Sequence, residues 1–176
     1  MNVYALLGVL VGIFAGLIIC AITFKTGNTN GKLKTEYDER QIAARGEGFK
    51  IGFYSYMIGI ALMVVLTIGE VQLPMELPVQ FFVLMFVGAI PMCVYSIWNN
   101  AYWGLNNKKR NYIIVFAVAA VINIAAAVMS WIDGKMIVDG ILTIRFMNLL
   151  CGLLFLVVGV TFTIKKYVDD KNVEEE

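Results

Sequence analysis

The sequence predicts an all-α membrane protein: five transmembrane helices, N-terminus out and C-terminus in, with a short cytoplasmic helix and a small extracellular β-hairpin. Three observations predict it. Of the 176 residues, 60% are hydrophobic and only 15% charged, with a mean hydropathy of +0.77; an ordinary soluble domain has about a quarter of its residues charged. The apolar residues fall in blocks as long as a bilayer core is thick, with nearly all charge between them. The basic residues, in turn, concentrate in every second connection, which places them on one side of the membrane.

The blocks are residues 3–24, 51–69, 79–97, 112–132 and 146–164, each 19 to 22 residues long and free of Asp, Glu, Lys and Arg. At 1.5 Å rise per residue, each spans about 30 Å of hydrocarbon as a helix. Such continuous runs lack the alternation of a barrel strand, so helices satisfy the backbone in lipid. The first block lacks a basic start and a small-residue cleavage site, and reads as a retained span rather than a signal peptide.

Of fourteen basic residues, only Lys135 and Arg145 lie on the side that would face outward. Lys25, Lys32, Lys34, Arg40, Arg45 and Lys50 fill the first loop, Lys108, Lys109 and Arg110 the third, and Lys165, Lys166 and Lys171 the tail. These segments are expected in the cytoplasm. Trp98, Tyr102 and Trp103 at the inner end of the third span, and Trp131 at the outer end of the fourth, fit interfacial belts.

In the first loop, the Gly-, Asn- and Lys-rich stretch 26–34 suits a flexible turn, and the helical chemistry starts at Thr35. Thr35 followed by Asp38 resembles a capping box, and Glu36 and Arg40 stand in the favourable i,i+4 order. A juxtamembrane helix over 35–50 is therefore expected, bent at Gly46 and Gly48 or running straight into the second span. Outside, the segment 70–78 is a tight connection with two prolines. In the segment 135–145, two β-prone runs flank Asp139-Gly140, the strongest short-range hairpin signal. The tail 165–176, ending in three glutamates, reads as a solvated cytoplasmic segment.

Several function classes are disfavoured. The chain has no histidine, which removes the commonest general base and zinc ligand. Cys20, Cys93 and Cys151 lie singly in apolar blocks, without ligand spacing or a disulfide framework. No catalytic residue, metal or cofactor is expected, and nothing in the net charge of +1 points to nucleic acid. Asp38 with Ala44-Arg45-Gly46 faintly echoes lipid-headgroup phosphotransferases, but the further aspartates are missing: the next, Asp133, falls on the opposite side.

Three groups of residues remain as candidate sites. Gly8, Gly12 and Gly16 form a helix-packing stripe on the first span, expected to meet another helix of the same chain, with a second copy as the alternative. Gly52 with Gly59, and Gly152 with Gly159, look like weaker versions of it. Asp38, Glu39, Arg40, Arg45 and Lys50 could contact a partner protein or lipid headgroups. Asn123, Asn148, Gln80 and Thr67 are the polar residues within or near the spans, with Pro91 predicted to kink the third. They read as interhelical hydrogen bonds or as a polar pocket opening outward, with Glu70 at its rim.

Tyr37-Asp38-Glu39-Arg40-Gln41 leading to Arg45-Gly46, together with Asp133-Gly134, Asp139-Gly140 and Phe146-Met147-Asn148-Leu149, resembles a family of uncharacterised small multi-pass membrane proteins of Gram-positive bacteria that carries an Asp-Glu-Arg motif in the first cytoplasmic loop. The resemblance implies a bacterial plasma membrane and functional weight on Asp38, Glu39, Arg40 and Asn148, and brings no activity. The sequence thus points to a non-enzymatic protein acting through a partner protein, lipid headgroups or another copy of itself. The alternative is a small transporter or channel subunit with its pathway beside Asn123 and Pro91.

Overall fold

A computed structural model describes residues 3–174. Its five long helices are α1 (Val3–Gly27), α2 (Glu39–Ile68), α3 (Leu77–Trp98), α4 (Lys109–Ile132) and α5 (Met147–Glu174). All five are long and apolar enough to cross a membrane, and the chain is a helical integral membrane protein. The remaining elements are a two-stranded hairpin, β1 (Ile137–Val138) with β2 (Ile141–Leu142), and a 3-10 turn over Ile144–Phe146.

α2 packs on α3, α3 on α5, and α5 on α4. Much of their lipid-facing surface is large apolar side chains, as expected where lipid replaces water. The α2–α3 seam is built from glycine. A β-carbon on Gly52 would stand 3.0 Å from the carbonyl oxygen of Gly88, and one on Gly88 would stand 3.0 Å from that of Gly52. Gly48 lies against Ser96, and Gly59 against Leu84. Without a hydrophobic drive between helices in lipid, this close backbone approach supplies the packing. Gly152 of α5 does the same against Ile124 of α4, whereas Gly159 meets nothing within 4 Å.

The first-span stripe behaves otherwise. Gly12 and Gly16 have nothing within 4 Å, and both face away from the rest of the chain; the surroundings of Gly8 lie outside what the structure describes. The expected intrachain partner is therefore missing at Gly12 and Gly16. The close glycine packing sits in α2 and α3 instead, where Gly52 and Gly59 read as the weaker signal. α1 meets the bundle chiefly near its C-terminal end, where Phe24 approaches Tyr112 of α4 with ring centroids 6.4 Å apart.

α2 begins later than the Thr35 signal indicates. Asp38 is the N-cap, its carboxylate accepting from Gln41 N at 2.7 Å while Gln41 Oε1 accepts from Asp38 N at 3.3 Å. The helix then runs unbroken through Gly46 and Gly48 to Ile68. Thr35 fails as a cap because the following residue is held from across the chain: Glu36 N donates to Asn106 Oδ1, and Glu36 O accepts from Leu105 N. α3 is likewise continuous through Pro91.

At the end away from the basic loops, the hairpin turns through Asp139 (φ 51°) and Gly140 (φ 76°), the left-handed pair a type I′ turn requires. It is anchored to the α2–α3 connection. Leu142 N donates to Pro74 O and Leu142 O accepts from Glu76 N, both at 2.9 Å. The Glu76 carboxylate accepts from Ile144 N at 2.7 Å, at the 3-10 turn that leads into α5. At the opposite end α5 continues as helix past residue 164 into the tail, where Lys165 pairs with Asp169; Glu175 and Glu176 lie outside the described residues.

Candidate functional site: a loop platform over an aromatic cavity

The two loops at the basic end, 28–38 and 99–108, close on each other. Asn28, only 1% exposed, donates through Nδ2 to Lys32 O (2.7 Å) and accepts at Oδ1 from Asn107 Nδ2 (2.5 Å). Asn106 donates to Lys34 O at 3.1 Å, and its backbone carbonyl accepts from Thr29 N at 2.7 Å. Lys108 N donates to Gly27 O at 2.7 Å. Asparagine suits this work because one side chain offers both a donor and an acceptor to backbone that has left helical pairing. The stretch 26–34, read as a flexible turn, is thus half of a two-loop platform.

Gln41 ties α2 to the same platform. Its buried amide donates to Asn100 O (2.8 Å) and Trp103 O (3.1 Å) while its carbonyl oxygen completes the cap. One turn on, Arg45 donates to Ala101 O at 3.2 Å, and its guanidinium stacks 4.2 Å from the Tyr37 ring centroid. Arg45 is therefore turned inward, beneath the platform. Lys50, by contrast, is exposed and paired with Glu47 at 2.5 Å. In the Asp38-Glu39-Arg40 motif the three residues separate by role: Asp38 spends its carboxylate on the cap, while Glu39 and Arg40 are exposed.

Beneath the platform lies a cavity of about 760 Å³. α1 gives it one wall through Ile19, Cys20, Thr23 and Phe24, and the facing walls include Met92, Cys93, Val115, Phe116, Ala119 and Phe155. Its loop end is formed by Tyr37, Arg45, Tyr102, Trp103 and Tyr112. Trp103 is the hub, with ring centroids 4.8 Å from Tyr102, 5.1 Å from Tyr112, and 5.9 Å from both Phe116 and Phe162. Trp103 and Tyr102 thus leave the interfacial belt assigned to them and fold inward; Trp98 and Trp131 are exposed. Burial pushes the Tyr102 phenol well above its ordinary value, so it stays neutral. Two polar atoms in this lining are buried without a hydrogen-bond partner: Trp103 Nε1 and the Tyr112 hydroxyl.

The span polar residues do not line this cavity. Asn123 donates to Ala119 O at 2.8 Å and Thr67 to Met63 O at 2.8 Å, each one turn back in its own helix. Gln80 donates to Met75 O at 3.0 Å, and Asn148 is half-buried at the start of α5. Glu70 stands exposed in the α2–α3 connection with φ 54°. Pro91 does not line the cavity either, although Met92 and Cys93 beside it and Ala119, the partner of Asn123, do. Among the described residues no group of three or more Cys, Asp or Glu is placed to hold a metal ion.

The sequence reading missed Asn28, Asn106, Asn107 and Gln41. The available signal was the density of asparagine in both loops of one side: Asn28 and Asn30 in the first, Asn99, Asn100, Asn106 and Asn107 in the other. Compared with family models, curated proteins and solved structures, the chain matches none.

Proposed function

We propose that this is a non-enzymatic protein of the bacterial plasma membrane that works by holding a partner protein at its cytoplasmic face. The basic end, with loops 28–38 and 99–108, is the cytoplasmic one on this reading, and the recognition residues are Glu39 and Arg40. The observation that carries it is the platform itself. Hydrogen bonds between residues seventy or more positions apart, among them Asn107 to Asn28 and Glu36 to Asn106, fix the loops while Glu39 and Arg40 stay exposed beside them. A binding surface gains when its residues stand on a pre-ordered support, because less ordering is lost on association.

The test is site-specific photocrosslinking in cells from position 42 or 43, exposed one turn on from Glu39 and Arg40, with position 167 on the exposed tail helix as the control. The reading expects one discrete heteromeric adduct from 42 and 43, lost when Glu39→Ala and Arg40→Ala are introduced together. Adducts equally abundant and equally diverse from all three positions would refute it.

A further inference from the structure

We propose that the cavity under the platform is a binding site for an anionic, chain-bearing amphiphile of the membrane, its head at Arg45, Trp103 and Tyr112 and its chain running down between α1 and α4. This goes beyond the docking of a partner at Glu39 and Arg40, which uses a different surface.

The polar end of the cavity carries the argument. Trp103 is 8% exposed and Tyr112 6%, yet the indole N–H and the phenol find no acceptor among the described residues. Both atoms are closed to solvent, and a buried donor left unpaired costs about 1–3 kcal/mol, so an acceptor that reaches them by a small shift of the two rings is favoured. Arg45 stands in the same lining. It has five N–H donors and spends one on Ala101 O, and among the described residues it makes no ion pair with a carboxylate. A guanidinium beside two neutral donors selects an oxygen-rich anionic head, of which a phosphate ester is the matching chemistry.

The rest of the cavity selects a chain. Beyond that end the walls are mostly apolar, among them Ile19, Val115, Phe116, Ala119 and Phe155, and the hydroxyl of Thr23 donates to Ile19 O of its own helix. From Tyr112 to Ala119 the α4 wall runs seven residues, about 10 Å along the helix axis. It lies inside helices that span the membrane, so the apolar part of the ligand can come from the bilayer. α1 is the wall least attached to the other helices, which gives an amphiphile a lateral way in. At about 760 Å³ the space is within the range of small-ligand pockets.

Trp103 is its own reporter. In the full chain carrying Trp98→Phe and Trp131→Phe, both exposed positions, Trp103 is the remaining tryptophan. The protein is placed in phosphatidylcholine nanodiscs doped with phosphatidylglycerol brominated high on the acyl chain, and quenching of Trp103 is followed against its mole fraction. The expected result is saturable quenching at low mole fraction, reversed by unbrominated phosphatidylglycerol and absent with brominated phosphatidylcholine. Arg45→Gln should raise the half-quenching fraction at least about tenfold, the scale of a lost charged hydrogen bond. Arg45→Lys, which keeps the charge, should raise it less, and Ala119→Phe, which fills the deep end, should abolish saturation.

Equal quenching by both brominated lipids would show ordinary boundary lipid and overturn the proposal. So would quenching indifferent to Arg45→Gln in a variant that retains the wild-type melting temperature. A change in Trp103 emission produced by inorganic phosphate alone, with no response to the lipid, would overturn the amphiphile in favour of a free anion. None of these outcomes bears on the adducts formed from 42 and 43.

Discussion

Asn107 donates from Nδ2 to Oδ1 of Asn28 at 2.5 Å, joining two loops separated by 79 positions. Around that contact the first and third loops become one platform, which joins the end of α1, the start of α2, the loop after α3 and the start of α4. Asn28 is buried and Asn107 half-buried, so removing Asn107 strands a polar group of Asn28 that water cannot reach.

Asn28→Ala therefore removes two partnerships at once and should cost about 2–3 kcal/mol. Thermal unfolding in mild detergent should show a lowered Tm. Lys32→Ala, at an exposed neighbour whose backbone makes the contact, should leave it unchanged within about 0.5 kcal/mol. Equal Tm values for the two variants would remove the platform's structural weight.

Asp38 has a role the two residues after it do not share. Asp38→Ala should destabilise by about 1 kcal/mol, and Asp38→Asn or Asp38→Ser should restore most of it, as N-caps do. Glu39→Ala with Arg40→Ala should leave Tm unchanged while abolishing the crosslinked adduct. If Asp38→Asn lost the adduct at wild-type stability, the carboxylate would be a recognition group and the division of roles would be wrong.

Much of this architecture is legible in the sequence, and the part that is not has a physical reason. Five uncharged apolar blocks mark five helices because hydrocarbon leaves the backbone no other partner. Asp139-Gly140 marks its turn because few residue pairs tolerate two positive φ angles. The start of α2 was misread because Thr35 and Asp38 both offer a capping oxygen, and the choice is made by Asn106, seventy positions away. The glycine stripe of α1 outranked Gly52 on spacing alone, yet Gly52 has Gly88 opposite it and Gly12 has nothing. The cavity could not be read at all, since its lining is assembled from all five helices and both platform loops.

The two glycine sites should respond differently. Gly52→Leu pushes a side chain into the Gly88 carbonyl and Met92 and should separate α2 from α3, with a loss of several kcal/mol or no folded protein. The smaller Gly52→Ala, whose β-carbon meets the same atoms at 3.0 Å, should still lower Tm measurably. Gly12→Leu faces open space and should leave the Tm of the monomer unchanged. A reversed order of effects would mean that α1, not α2, is the helix packed through glycine.

Tyr102 sets an upper pH limit. Its phenol is held above the ordinary value near 10 by burial, so the folded chain keeps a proton that the unfolded chain gives up. The contribution is fully present below pH 10 and is lost as the pH rises above it. Between pH 9 and pH 11 the wild type should lose more Tm than Tyr102→Phe, which has no proton to release. Identical losses would place Tyr102 in contact with water.

The most direct test of the whole arrangement is which side each loop occupies. Single cysteines are introduced as Lys32→Cys, Lys108→Cys and Asp139→Cys after Cys20, Cys93 and Cys151 are replaced by alanine, and intact cells are treated with a membrane-impermeant maleimide. The account predicts labelling at 139 from outside, and labelling at 32 and 108 only after the cells are permeabilised. Labelling of 32 but not 108 in intact cells would contradict it at its centre, because the two loops would then lie on opposite sides of the membrane and could not form one platform.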